Sequence, residues 1–93
     1  MKLRNLLVNL EYTCQGNLDT EISDIIYDSR KVEQGTAFVC LKGYTSDGHK
    51  YAKSAVEKGA SALIISDSLD FEVPSDVAVV KVEDTRYALS LMS

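Results

Sequence analysis

The pattern that most constrains this chain is a pair of short, unbroken apolar runs with one amphipathic stretch between them. Residues 36–41 (TAFVCL) and 62–66 (ALIIS) read as strands buried on both faces. Between them, Tyr51, Ala52, Ala55 and Val56 form an apolar stripe on a helix expected over 48–58. Asp47 stands where an N-cap belongs, and Gly59 where a helix-ending glycine belongs. Strand, loop, helix, strand at this spacing is a βαβ unit, and its right-handed crossover makes strands 36–41 and 62–66 parallel. Residues 77–82 (VAVVKV) add a third apolar strand, and the β-branched and aromatic run from Ile22 to Tyr27 a fourth. The expected fold class is therefore α/β: a small mixed, mainly parallel sheet flanked by helices, containing a βαβ unit.

The flanking segments are more polar. Leu3, Leu6, Leu7 and Leu10 are spaced to line one side of a short helix. Residues 11–20, with Gly16 and Asn17, read as a loop, as do 67–76, which are acidic and hold the only proline. Asp84 is placed to cap a last helix carrying Tyr87, Leu89 and Met92. The chain stops inside that helix, so a fragment of a longer protein is expected.

Ninety-three residues suffice for one small domain. No apolar run approaches the ~20 residues of a membrane span. The leucine-rich start has helical spacing and is not followed by a small-residue cleavage site, so a cytoplasmic protein without a membrane partner is expected. Cys14 and Cys40 lack metal-ligand spacing and read as free thiols in a reducing compartment. The net charge of −4 argues against a nucleic-acid partner. That charge is uneven. Residues 30–58 carry six basic and three acidic side chains, a local +3, while the remainder carries −7. A basic middle in an acidic chain suits an anionic ligand there, and equally a solvated helix face.

The sequence contains no Walker-type phosphate loop, no nucleophile elbow, and one histidine without a second histidine or cysteine near it. No nucleophile is assembled with its base, and no metal site or catalytic residue is assigned. Two loops attract attention instead. Tyr27-Asp28-Ser29-Arg30-Lys31 follows a strand, and Lys42-Gly43-Tyr44-Thr45-Ser46-Asp47-Gly48-His49 joins a strand to a helix start. Ligands of open α/β sheets collect outside the carboxyl ends of strands, and helix N-termini suit phosphate. Side by side, these loops would form a polar, locally basic cleft. Each residue also has a plain structural use. Asp28 and Ser29 can cap a turn, Arg30 can pair with a surface carboxylate, Tyr44 can be an exposed loop residue, and His49 can be a structural hydrogen-bonder.

These residues also carry a resemblance. Asp28-Ser29-Arg30, Val32, Gly35, Ala37-Phe38-Val39, Gly43, Asp47-Gly48-His49, Tyr51, Ala55 and Gly59-Ala60 form one ordered string. It resembles the N-terminal signature of Mur ligases of the tripeptide-synthetase (MurE) type. Val80, Val82, Asp84, Arg86, Ala88 and Leu89 match the segment that leads to the ATP-binding domain of such enzymes. The likeness spans essentially the whole chain, and its specificity lies in order and spacing rather than in one motif. Gln34-Gly35 departs from the usual Pro-Gly, and Cys40 from a usual Ala. The MurF type, which adds D-Ala-D-Ala, has a similar signature; Asp-Ser-Arg and the leucine-rich first helix favour the tripeptide type.

The resemblance implies that residues 1–93 are the N-terminal, UDP-precursor-binding domain of a three-domain ligase whose ATP-binding and C-terminal domains are absent from this chain. It implies that Ser29, Tyr27, Tyr44, Thr45 and Ser46 contact the UDP portion of UDP-MurNAc-L-Ala-D-Glu, with Asp28, Arg30, Asp47 and His49 as loop-shaping or secondary residues. It implies ATP and Mg2+ in the parent enzyme, no cofactor in this domain, and an isolated domain that binds without catalysing. Partners would be the UDP-MurNAc-dipeptide and the enzyme's own central and C-terminal domains. A non-catalytic interaction domain and a nucleotide-sugar module of another enzyme are the alternatives.

Overall fold

The computed structural model describes residues 1–42 and 47–92. A five-stranded sheet forms its centre, in the order β1-β5-β4-β3-β2, with β1 Thr13–Gln15, β2 Ile25–Ile26, β3 Ala37–Val39, β4 Ala62–Ile65 and β5 Ala78–Lys81. Strands β2 to β5 are mutually parallel, and β1 pairs antiparallel with β5 at the edge. The expected parallel pairing of the two apolar runs holds, with Phe38 opposite Leu63. Among the described residues three helices accompany the sheet: α1 Leu3–Leu6, α2 Ala52–Glu57 and α3 Thr85–Met92. Short 3-10 turns occupy Ser29–Lys31 and Gly48–Tyr51.

Alternation along β3 and β4 divides the apolar side chains between two cores, because successive residues of a strand point to opposite faces. Ala37, Val39, Ala62 and Ile64 join Leu3 of α1, Leu7 just after it, and Ala88 and Met92 of α3, on one face. Phe38, Cys40, Leu63 and Ile65 join Ala52 and Ala55 of α2 on the other. Both faces are covered, which is why β3 and β4 are buried throughout. Complete burial of a side chain as large as Phe38, Leu63 or Ile64 stabilises by about 1.5–3 kcal/mol each. No helix joins β4 to β5, and Leu69, Phe71 and Val73 of the connecting loop pack on that side instead. Val79 of β5 is accordingly only half buried, and Lys81 is exposed.

Several expectations shift. Residues 11–20 contain β1, where a loop was expected, because Thr13, Cys14 and Gln15 find their partners in Lys81, Val80 and Val79 of β5. The fourth strand shortens to Ile25–Ile26. Ile22 instead packs with Leu3 and Leu7, and its amide donates to the Met1 carbonyl. The helix expected over 48–58 opens as a 3-10 turn before becoming α2. Its boundary signals act as expected: the Asp47 carboxylate accepts from the His49 amide, and Gly59 adopts φ 103°, a conformation open to glycine. Asp84 likewise accepts from the Arg86 and Tyr87 amides at the start of α3. Both cysteines are free. No helix of the described residues is long and apolar enough to cross a membrane.

Candidate functional site

The carboxyl ends of the four parallel strands share one edge of the sheet. The chain leaves three of them through the same device, an aspartate two residues ahead of a basic side chain. In Asp28-Ser29-Arg30, Asp47-Gly48-His49 and Asp84-Thr85-Arg86, the aspartate Oδ1 accepts the amide of the basic residue at 3.0 Å. Such Asx turns reverse the backbone locally; their middle residue is half buried at Ser29 and Gly48 and buried at Thr85. The three basic side chains then have different fates.

Arg30 folds back on Asp28, its Nε donating to Oδ1 at 3.1 Å and its Nη2 to Oδ2 at 2.9 Å. These bonds from the guanidinium, followed by the one from the Arg30 amide, hold the Asp28 carboxyl down at about 2. The pair is solvated and contributes little to stability; it closes the turn and leaves Ser29 half buried at its apex. Lys58, just past α2, secures that apex by donating from Nζ to the Ser29 carbonyl at 2.9 Å.

His49 is buried and fully engaged. Its Nε2 accepts the amides of Ser66 and Asp67 at 3.0 and 3.2 Å, so the proton sits on Nδ1 and is donated to Asp47 at 2.6 Å. The ring thereby ties the start of the α2 segment to the carboxyl end of β4. Burial raises the Asp47 carboxyl, but the backbone and ring hydrogen bonds from His49 together leave it lowered. Lys42 pairs with Asp67. Among the described residues, Asp47, His49 and Asp67 are grouped closely enough to suggest cation ligands. Both ring nitrogens already hold protein partners, however, and the Lys42 ammonium already neutralises Asp67, so the group reads as a structural brace.

Arg86 does not return to its aspartate. Its Nη2 donates to the Lys42 carbonyl at 3.0 Å, crossing from α3 to the loop after β3.

Between these turns lies a cleft of about 560 Å³. Tyr27, Asp28, Ser29 and Arg30 line one side, and Leu41, Gly48, Tyr51 and Arg86 the other, over Phe38. Gly48 is required by close approach: a Cβ there would lie 2.7 Å from the Leu41 amide nitrogen. Of the expected site residues, Tyr27, Asp28, Ser29 and Arg30 line this cleft, and among the described residues the second loop brings Gly48 to it. Asp47 and His49 stand behind the cleft as its support. Tyr44, Thr45 and Ser46 lie outside the described residues. The sequence reading missed Tyr51 and Arg86 as cleft residues. The signal for Arg86 was the third repetition of Asp-x-basic after a strand. The parallel strands lie side by side in chain order, so no reversal of strand order creates this cleft. The diverging turns create it.

The description "Mur ligase family, catalytic domain" matches residues 21–93. The chain belongs to the Mur ligase family. It is similar over its whole length to the UDP-N-acetylmuramoyl-L-alanyl-D-glutamate–2,6-diaminopimelate ligases of Clostridium perfringens, at 46% identity, and Clostridium botulinum, at 45%. It spans only 19% and 20% of those two proteins. Among solved structures, MurF from Acinetobacter baumannii superposes with a TM-score of 0.83 at 30% identity, over 97% of this chain and 19% of that one. The likeness to MurE-type Mur ligases stated for the sequence holds, and so does the α/β fold class.

Arg30 carries no free charge in the cleft, and the Cys40 thiol behind it is pushed up to about 12 by burial, with Asp47 adding to the shift. What the arrangement offers a ligand is two aromatic side chains, Tyr27 and Tyr51, the Ser29 hydroxyl and one guanidinium.

Proposed function

We propose that this chain is the N-terminal domain that anchors the UDP portion of UDP-MurNAc-L-Ala-D-Glu for an ATP-dependent ligase of peptidoglycan synthesis, which adds a diamino acid. The observation that carries the reading is the cleft at the carboxyl edge of the sheet, where Tyr27 and Ser29 face Tyr51 and Arg86. Aromatic side chains suit a base, and hydroxyl and guanidinium donors suit ribose and phosphate oxygens. Tyr44, Thr45 and Ser46 join the contact set by family resemblance. Asp28, Arg30, Asp47 and His49 shape the turns. Identity of about 45% to diaminopimelate-adding ligases, against 30% to the MurF structure, favours the tripeptide-forming type.

The parent enzyme's ATP and Mg2+ belong to domains beyond this one, where the dipeptide carboxylate is activated as an acyl phosphate for attack by the diamino acid amine. This domain contributes by position. Fixing the nucleotide end of a long substrate restricts where its carboxylate can go, and binding energy gathered remotely then serves the reacting end. Work of this kind belongs in the cytoplasm, where nucleotide-linked precursors and ATP are found.

The test is a ¹⁵N–¹H NMR titration of the 93-residue chain with UDP and then with UDP-MurNAc-dipeptide. Shifts confined to residues 27–31, 41–51 and 86 are expected. Shifts elsewhere, or none with either ligand at millimolar concentration, would refute the anchoring reading for this chain.

A further inference from the structure

We propose that Arg86 is the residue that meets the anionic diphosphate of the nucleotide in this cleft. The proposal rests on the anchoring function above and goes beyond it by assigning the charge. Among the described residues two basic side chains line the cleft, Arg30 and Arg86; Arg30 is neutralised bidentately by Asp28, and nearby Lys42 is paired with Asp67. The His49 ring is spent on Asp47 and the β4 amides. Arg86 also lines the cleft, and among the described residues no carboxylate is within ion-pair distance of its guanidinium.

Among the described residues its one side-chain hydrogen bond runs from Nη2 to the Lys42 carbonyl, and the guanidinium has further N–H groups to offer a ligand. That bond also orients the guanidinium plane in advance, so less freedom is lost when an anion arrives. Arg86 also lines a neighbouring depression, together with Lys42, Asp67, Glu83 and Asp84. Of the six basic residues in 30–58, Arg30 and Lys42 pair with carboxylates and Lys58 donates to the Ser29 carbonyl, while Arg86 reaches the cleft from a helix far along the chain.

The experiment compares UDP with uridine, which shares base and ribose but lacks the diphosphate. Both are titrated by NMR into the wild-type chain, Arg86→Met and Arg86→Lys, with each variant's amide dispersion checked first. Wild type is expected to bind both, UDP more tightly and with the stronger salt dependence. Arg86→Met should weaken UDP about tenfold or more, as loss of charge-assisted hydrogen bonds does, while uridine affinity stays within about twofold. Arg86→Lys keeps charge without the fork and should fall between. Equal losses for UDP and uridine would show that Arg86 only holds the Lys42 carbonyl, and would overturn the assignment. Unchanged UDP affinity in Arg86→Met would overturn it as well. A wild-type chain that binds neither ligand is a separate result, and removes the anchoring function itself.

Discussion

Replacing His49 by alanine should destabilise the chain by about 3 kcal/mol. The figure follows from the ring's partners. Its Nε2 accepts two backbone amides, Ser66 and Asp67, and its Nδ1–H serves Asp47. An unsatisfied buried donor costs about 1–3 kcal/mol; Ser66 and Asp67 are half buried, so about 1 kcal/mol each is appropriate. Loss of the packed ring and of its bond to Asp47 adds about 1 kcal/mol more. Against a total stability of roughly 5–15 kcal/mol this is large, and for a domain of this size it lowers Tm by about 12–24 °C. Urea unfolding followed by circular dichroism measures it. His49→Gln provides the internal check, because one amide oxygen can accept both N–H groups; it should recover about half the loss. A His49→Ala variant within about 0.5 kcal/mol of wild type, the range of ordinary surface changes, would refute the view that this ring braces the cleft.

Three further outcomes are expected. Gly48→Ala should cost about 1–3 kcal/mol in the same unfolding assay, since the new methyl meets the Leu41 backbone and nothing flexible can yield. The Arg30 amide shift should report titration of Asp28 with a midpoint near 2, against the ordinary 3.8. Because the folded value is lowered, the contribution of the ionised carboxylate is complete above 3.8 and is lost as pH falls through about 2. Arg30→Ala should raise the midpoint but stop short of 3.8, as the bond from residue 30's amide remains. In the full-length ligase, Ser29→Ala should raise KM for the UDP substrate more than it lowers kcat, and an unchanged KM in steady-state assays would count against Ser29 as a contact.

Much of this protein was determined by local sequence. Residues 37–39 and 62–65 have no polar side chain to offer solvent, so any stable placement covers them on both faces. Asp47, Gly59 and Asp84 act within a few residues of themselves, through hydrogen bonds and φ preferences that need no distant partner. Half of the cleft followed from Asp28-Ser29-Arg30 for the same reason. Other features were decided only by tertiary structure. Thr13–Gln15 is a strand because β5 presents an unpaired edge to it, and nothing in those three residues announces that edge. Arg86 reaches the cleft because the ends of β3 and β5 flank β4 at one edge of the sheet, which brings residues 42 and 86 within hydrogen-bonding distance. Residue type fixes which groups can bond. Only the folded sheet decides which charges are cancelled, and here it leaves a guanidinium from the last helix facing the cleft.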